Sequence, residues 1–182
     1  MIHTLFSFGN LKQETTTAIF NMTPALSCPS EVLGLCRNPK VCYAKYPERA
    51  FPGVKGHRNH QAKFWEMCTP ELFVYELTKF DFEKLRFSEA GDFRHQGDVT
   101  KVKTIALLLG KPIWTYTARR DLDFSNLPDN LTISGSGFML DNQFNAVKNP
   151  DDFIDGVVCP LNCRVCDYCC QKAGRQIYCK IH

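Results

Sequence analysis

The chain has no apolar run long enough to cross a bilayer. Its longest, Ile105 to Leu109, covers five residues, against the ~20 that a spanning helix needs. The opening stretch MIHTLFSFGNLKQE carries neither a basic start nor a long apolar segment, so a secretory leader is not expected. The expectation is a cytoplasmic protein without a membrane partner, in a compartment where thiols stay reduced. A Gly-rich phosphate loop of the Walker type is missing, as is a dinucleotide-binding fingerprint, which removes the commonest nucleotide-binding readings. Five histidines include no His-x3-His pair, which argues against a helical zinc hydrolase site. His57 and His60 stand three apart, a weak signal. Charge is nearly balanced, with 22 Lys and Arg against 19 Asp and Glu, so net charge names no partner. There is no internal repeat and no low-complexity stretch.

What is plentiful is cysteine, ten in 182 residues. A chain of this length buries enough apolar surface to fold without disulfides, and clustered cysteines in a reducing compartment point to metal. The tail holds Cys159-x3-Cys163-x2-Cys166-x2-Cys169. Zinc takes four thiolates, usually as two separated Cys-x-x-Cys knuckles. A compact run suits the larger [4Fe–4S] cubane, whose corners are well separated. Four cysteines within eleven residues leave too little chain for two opposed knuckles, so a cluster is favoured and zinc is the less favoured metal.

A second group, Cys28-x7-Cys36-x5-Cys42, offers three thiols. A cubane held by three thiolates keeps one iron open to a ligand or substrate. A zinc site completed by Cys68, or a structural cluster completed by a tail cysteine, is the alternative. One or two [4Fe–4S] clusters are therefore expected. Cys68, in a helical pattern near Trp65, reads as core. Cys170 and Cys179 are spare, and the terminal His182 reads as a solvated side chain.

Periodicity organises the rest. The segments IHTLFSF (2–8) and TAIFNM (17–22) read as strands, and 28–60 as a long ordered loop. HRNHQAKFWEMC (57–68) reads as a helix, and PELFVYELTKF (70–80) as a second that starts on its proline. KLRFSEAGD (84–92) is a strand, GDVTKVKTIALLLG (97–110) a helix closed by Gly110, and KPIWTYTA (111–118) and NLTISGSG (130–137) are strands. Strand, helix, strand, connection, strand is the pattern of parallel α/β units. It places Glu89 and Asp92, then Thr117 and Arg119, then Ser134, Gly135 and Ser136 near three successive strand ends, where such folds bind ligands.

The ordered set FGNLK, FNMTPALSCPS, CYA, LRFSEAGDF, YTAR, the tail cysteine run and a terminal KIH resembles the phage-encoded gene product 88 family, which is distantly similar to radical S-adenosylmethionine (SAM) enzymes. The resemblance implies an α/β fold, a partial β/α barrel over residues 1–156 with an N-terminal cluster loop, followed by a cysteine-rich cluster-binding tail at 157–182. It implies that Cys28, Cys36 and Cys42 hold a cluster with an open iron and that the tail cysteines hold an auxiliary one. It places Tyr43 at the aromatic end of the cluster loop and EAGD, with Glu89, Gly91 and Asp92, against the cofactor's amino group. Thr117 and Ser134 take further cofactor contacts. The implied activity is that of a radical SAM-like enzyme on an unknown substrate.

A non-catalytic reading stands beside it. Arg37, Lys40, Lys45, Arg49, Lys55, Arg58 and Lys63 face a single acid, Glu48, across 37–63, with Tyr43, Tyr46 and Phe51 interleaved. Basic residues with exposed aromatics grip phosphates and stack on bases, so nucleic acid is one candidate partner. The same residues could offset the charge of a thiolate-bound cluster. A metal-stapled factor that binds a host protein is a third reading.

Overall fold

The structure, a computed structural model, describes residues 4–181. Among the described residues eight strands form one sheet: β1 (Ser7–Phe8), β2 (Thr17–Phe20), β3 (Lys84–Phe87), β4 (Ile113–Thr117), β5 (Leu131–Ser136), β6 (Asn142–Val147), β7 (Val157–Val158) and β8 (Gln176–Lys180). Their order is β1-β2-β3-β4-β5-β6-β8-β7. Only β1 pairs antiparallel; every other ladder is parallel. From β2 to β6 the chain steps sideways one strand at a time. Among the described residues no pairing joins β1 to β7, so the sheet is an open one and no closed barrel is formed. Among the described residues no helix is long and apolar enough to cross a membrane.

The helices are α1 (Pro29–Val32), α2 (Lys45–Ala50), α3 (Pro52–Met67), α4 (Pro70–Leu77) and α5 (Gln96–Leu109). The expected loop over 28–60 is thus partly helical, and α3 starts on Pro52 rather than at His57. Proline at a first helical position costs nothing, because that N–H has no partner in the helix anyway. The helix expected over 70–80 is α4, which ends at Leu77; Thr69 caps it by accepting from Leu72 N at 3.2 Å. Gly110 closes α5 with φ +63, a conformation that glycine takes without strain.

The two faces of the sheet differ completely. Ala18, Phe20, Leu85, Phe87, Ile113, Leu131 and Ile133 pack on one side against Trp65, Phe73 and Leu77 from α3 and α4 and Val99, Val102, Ile105 and Ala106 from α5. Phe73 sits at the centre, with Phe6, Phe20, Trp65 and Phe87 rings 4.9–5.7 Å away. The alternate residues point the other way. On that side the cysteine loop, with its short α1, and the tail cover the strands.

The tail belongs to the sheet. β8 pairs with β6 over five residues, from Gln143 opposite Gln176 to Val147 opposite Lys180, so strands lie on both sides of the boundary drawn at 156–157. Parallel neighbours usually need a long crossover, yet only 137–141 separate β5 from β6. Stagger explains this. The last residues of β5 pair with the first of β6, Ser134 to Ser136 against Asn142 to Phe144, so the chain need only shift sideways.

Candidate functional site

A cavity of about 510 Å³ lies on the side of the sheet opposite α3, α4 and α5. Its walls include Cys28, Cys36 and Cys42 from the loop after β2, and Cys159, Cys163, Cys166, Cys169, Cys170 and Cys179 from the tail. Nine of the ten cysteines of the sequence therefore surround one space, and all ten are free thiols. The tenth, Cys68, is core, 5% exposed. The sequence treats the two groups as separate centres; the fold brings them to the same chamber. Among the described residues, no group of three or more His, Cys, Asp or Glu side chains is arranged to hold a single metal ion. His182 lies outside the described residues.

The strands supply the floor. Lys84, Arg86 and Ser88 line the cavity from β3 and its end, Trp114 and Tyr116 from β4, and Phe144 and Ala146 from β6. Register aligns these files, since Arg86 pairs with Trp114, and Ala146 with Cys179. Cys179 reaches the cavity because β8 turns it to the same side as its partner. Ser134, two residues after Thr132 on this face, is fully buried, has no hydrogen-bond partner and is not part of the cavity wall. Thr132 donates to Cys170 O at 3.0 Å, so the tail covers this stretch of β5. Ser136, not Ser134, is the β5 serine at the cavity.

Two buried carboxylates fix the cysteine loop. Asp92, 4% exposed, accepts from Thr117 Oγ1 at 2.7 Å and Phe93 N at 2.8 Å on one oxygen, and from Ser30 Oγ at 2.5 Å and Ala118 N at 2.8 Å on the other. Burial pushes its carboxyl up, and these donors pull it back. All four bonds are internal to the protein, so Asp92 ties the loop to the ends of β3 and β4 and has no lone pair free for a cofactor amine. Thr117 is spent likewise: it donates to Asp92 and accepts from Arg119 N at 3.0 Å. Glu48, 2% exposed, accepts from Ala25 N and Leu26 N at 2.6 and 2.9 Å and pairs with Arg58 at 2.9 Å.

Gly91 allows the close approach on which this depends. Its φ is +76, and a Cβ there would stand 2.0 Å from Thr23 Oγ1. Glu89 is less committed. It accepts from Asn10 Nδ2 at 2.8 Å and stands 4.0 Å from both Arg58 and Arg86. Tyr43 donates to the Glu89 carbonyl at 2.8 Å and still shows 56% of its surface, as a side chain standing at an open cavity does. Of the expected cofactor contacts, Tyr43, Glu89, Gly91, Asp92 and Thr117 line the cavity.

The tail is held from beneath by Asn142, which is fully buried. Its amide donates to Gln171 O at 2.7 Å and accepts from Ala173 N and Arg175 N, both at 3.3 Å. Burial pushes the Cys28, Cys169 and Cys170 thiols up to about 12. Cys159 moves the other way, to about 6, because Cys179 hydrogen-bonds to its sulfur.

Two of the seven basic residues of the segment are built into the structure. Arg58 is buried in its pair with Glu48, and Lys45 bonds to Glu31 and to Pro39 O. Arg37, Lys40, Arg49, Lys55 and Lys63 remain on the surface.

The Gene product 88 family model matches residues 4–151. The chain belongs to this phage protein family, as its motifs indicated. The match ends before the first tail cysteine, so the six thiols from Cys159 to Cys179 lie outside it. Neither the search of curated proteins nor that of solved structures found a match.

Proposed function

We propose that this chain is an iron–sulfur protein whose two cysteine groups serve one chamber, on a sheet related to the partial β/α barrel of radical SAM enzymes. The observation that supports it is the gathering of nine free cysteines around a single cavity. Such a surplus of thiols has no packing rationale, because the core is complete on the other face of the sheet. The donor set is all sulfur, which suits iron–sulfur clusters, and a cluster is a larger object than a single ion, so its ligands need not converge as closely. Cys28, Cys36 and Cys42 would hold one centre and Cys159, Cys163, Cys166 and Cys169 the other, with zinc as the less favoured metal.

Bound there, a cluster with an open iron supplies one-electron chemistry and, with SAM, hydrogen abstraction. The protein's own residues supply the surroundings. Asp92 and Glu48 hold the N-terminal loop in place, Asn142 holds the tail, and Lys84 brings positive charge to offset thiolates. Leu11, Lys12, Leu161 and Asn162 line the cavity from the N-terminal turn and the tail, and the Arg164 guanidinium donates to Asn10 O at 3.3 Å, linking the same two segments.

Anaerobic purification with iron and acid-labile sulfide analysis tests this reading. Two cubanes give about eight irons per chain and one gives about four. Cys36→Ala and Cys163→Ala should each lower the count. A SAM-dependent change in the spin-resonance signal of the reduced protein tests the radical reading separately, and an unchanged signal would remove it.

One observation favours a second reading. Tyr46 and Phe51 are 70% and 55% exposed, among the exposed Lys40, Arg49 and Lys55, a surface suited to single-stranded nucleic acid. A polyanion-column retention that falls with salt and with Lys55→Glu supports it; indifference to both sinks it. Arg58 does not serve this test, because reversing its buried charge strands Glu48 and destabilises the fold.

A further inference from the structure

Arg86 borders the cavity with most of its donors unused. A guanidinium carries five N–H groups. Here one hydrogen bond is made, to the Tyr43 hydroxyl at 3.3 Å, and the nearest carboxylate, Glu89, stands at 4.0 Å. Its Nε is buried without a partner, and the side chain is only 12% exposed. A cation so enclosed and so loosely paired is costly. Glu89 does not resolve it, because that carboxylate is shared with Asn10 and Arg58.

Ser88 adds an independent sign. It lies two residues further along the same face, 5% exposed, with its hydroxyl unpartnered. Its φ is +52, a left-handed conformation that serine seldom takes and that clusters at binding sites. Native proteins leave few buried polar groups unpaired, and two neighbours on one cavity wall call for an absent partner. Beside them the Tyr116 ring lies 5.7 Å from the guanidinium carbon, and Trp114 pairs with Arg86 across the ladder.

We propose that Arg86, with Ser88, binds the carboxylate of a small ligand whose flat body lies along Trp114 and Tyr116. A planar fork matches a carboxylate in two parallel bonds, and the aromatic file accepts an unsaturated body next to it. This adds an organic occupant to the chamber and does not depend on what the thiols hold.

The probes are benzoate and its neutral isostere benzamide, titrated into the anaerobically purified full chain and followed by tryptophan fluorescence and saturation-transfer NMR. Benzoate should bind at least about tenfold tighter than benzamide, the scale of a hydrogen bond to a charged group. Arg86→Gln should erase that preference, and Ser88→Ala should weaken it a few-fold. Arg86→Lys, which keeps the charge and loses the fork, should weaken benzoate about tenfold and serves if the glutamine variant does not fold. SAM that displaces benzoate, where 5′-methylthioadenosine does not, assigns the carboxylate to the cofactor. Failure to displace it assigns the carboxylate to another ligand. Equal binding of benzoate and benzamide, or benzoate binding unchanged in Arg86→Gln or Arg86→Lys, overturns the proposal, whatever the iron content.

Discussion

The two sides of this sheet are built on opposite rules. On the helix side, apolar residues from β2 to β5 meet α3, α4 and α5, and every large side chain finds a packed neighbour. On the other side the same strands present Lys84, Arg86, Ser88, Trp114 and Tyr116, and irregular segments rich in cysteine close over them. Parallel sheets are normally buried by apolar contacts on both faces. Here one face carries the stability and the other is left open to chemistry. Substitutions should therefore separate by face: loss of fold on one, loss of binding on the other.

The largest effect belongs to Phe73→Ala. Phe73 is fully buried among four rings, and its removal should cost about 3–5 kcal/mol, read as a lower denaturation midpoint. Next comes Gly91→Ala, whose added methyl would press on Thr23 at a positive φ. It should cost about 1–3 kcal/mol and, unlike Phe73→Ala, should also disturb metal content, because Gly91 sets the wall beside the cysteine loop.

Asp98→Asn comes third, at about 2 kcal/mol. Burial alone would raise this carboxyl, but hydrogen bonds from Arg94 and from the Trp65 indole hold it below the usual range. A group depressed in the folded state contributes stability above its unfolded value, about 3.9, and loses it as pH falls through the lower folded value. Thermal melts should therefore show wild type and Asp98→Asn converging in acid and separating near neutrality. A gap independent of pH would contradict this.

The smallest effect on folding belongs to the cavity face. Cys36→Ala should change the stability of the metal-free chain by less than about 1 kcal/mol while lowering iron content. If it instead unfolds the metal-free chain as Phe73→Ala does, the division between the faces fails.

The helix side was legible in the sequence. Val102, Ile105, Ala106 and Leu109 repeat with helical period, Gly110 ends the run, and IWTYT and LTISGS have strand character. β6 was not legible, because NQFNAV begins with two amides and has no β-branched run. Without it β8 had no neighbour to join, and Cys179 was left spare, though it follows Ile177 at strand spacing. The short α2, KYPERA, has a proline inside it and no side-chain cap, so nothing local announces it.

The cysteine spacing showed two groups of thiols but not their meeting, which depends on tertiary contacts such as that of Ser30 with Asp92. The four internal donors of Asp92 were not legible either, since a carboxylate at a strand end looks the same whether it faces a ligand or its own chain. Arg86 and Ser88 were open to discovery: KLRFS alternates, and its polar residues fall on the face opposite Leu85 and Phe87.

The measurement that bears most directly on the central claim is the Mössbauer spectrum of the iron-loaded chain, prepared without oxygen. The account predicts the doublets of thiolate-bound iron–sulfur clusters, with signal lost when Cys36 or Cys163 is replaced by alanine. A folded chain that takes up no iron, or binds it with no change in either variant, would contradict it.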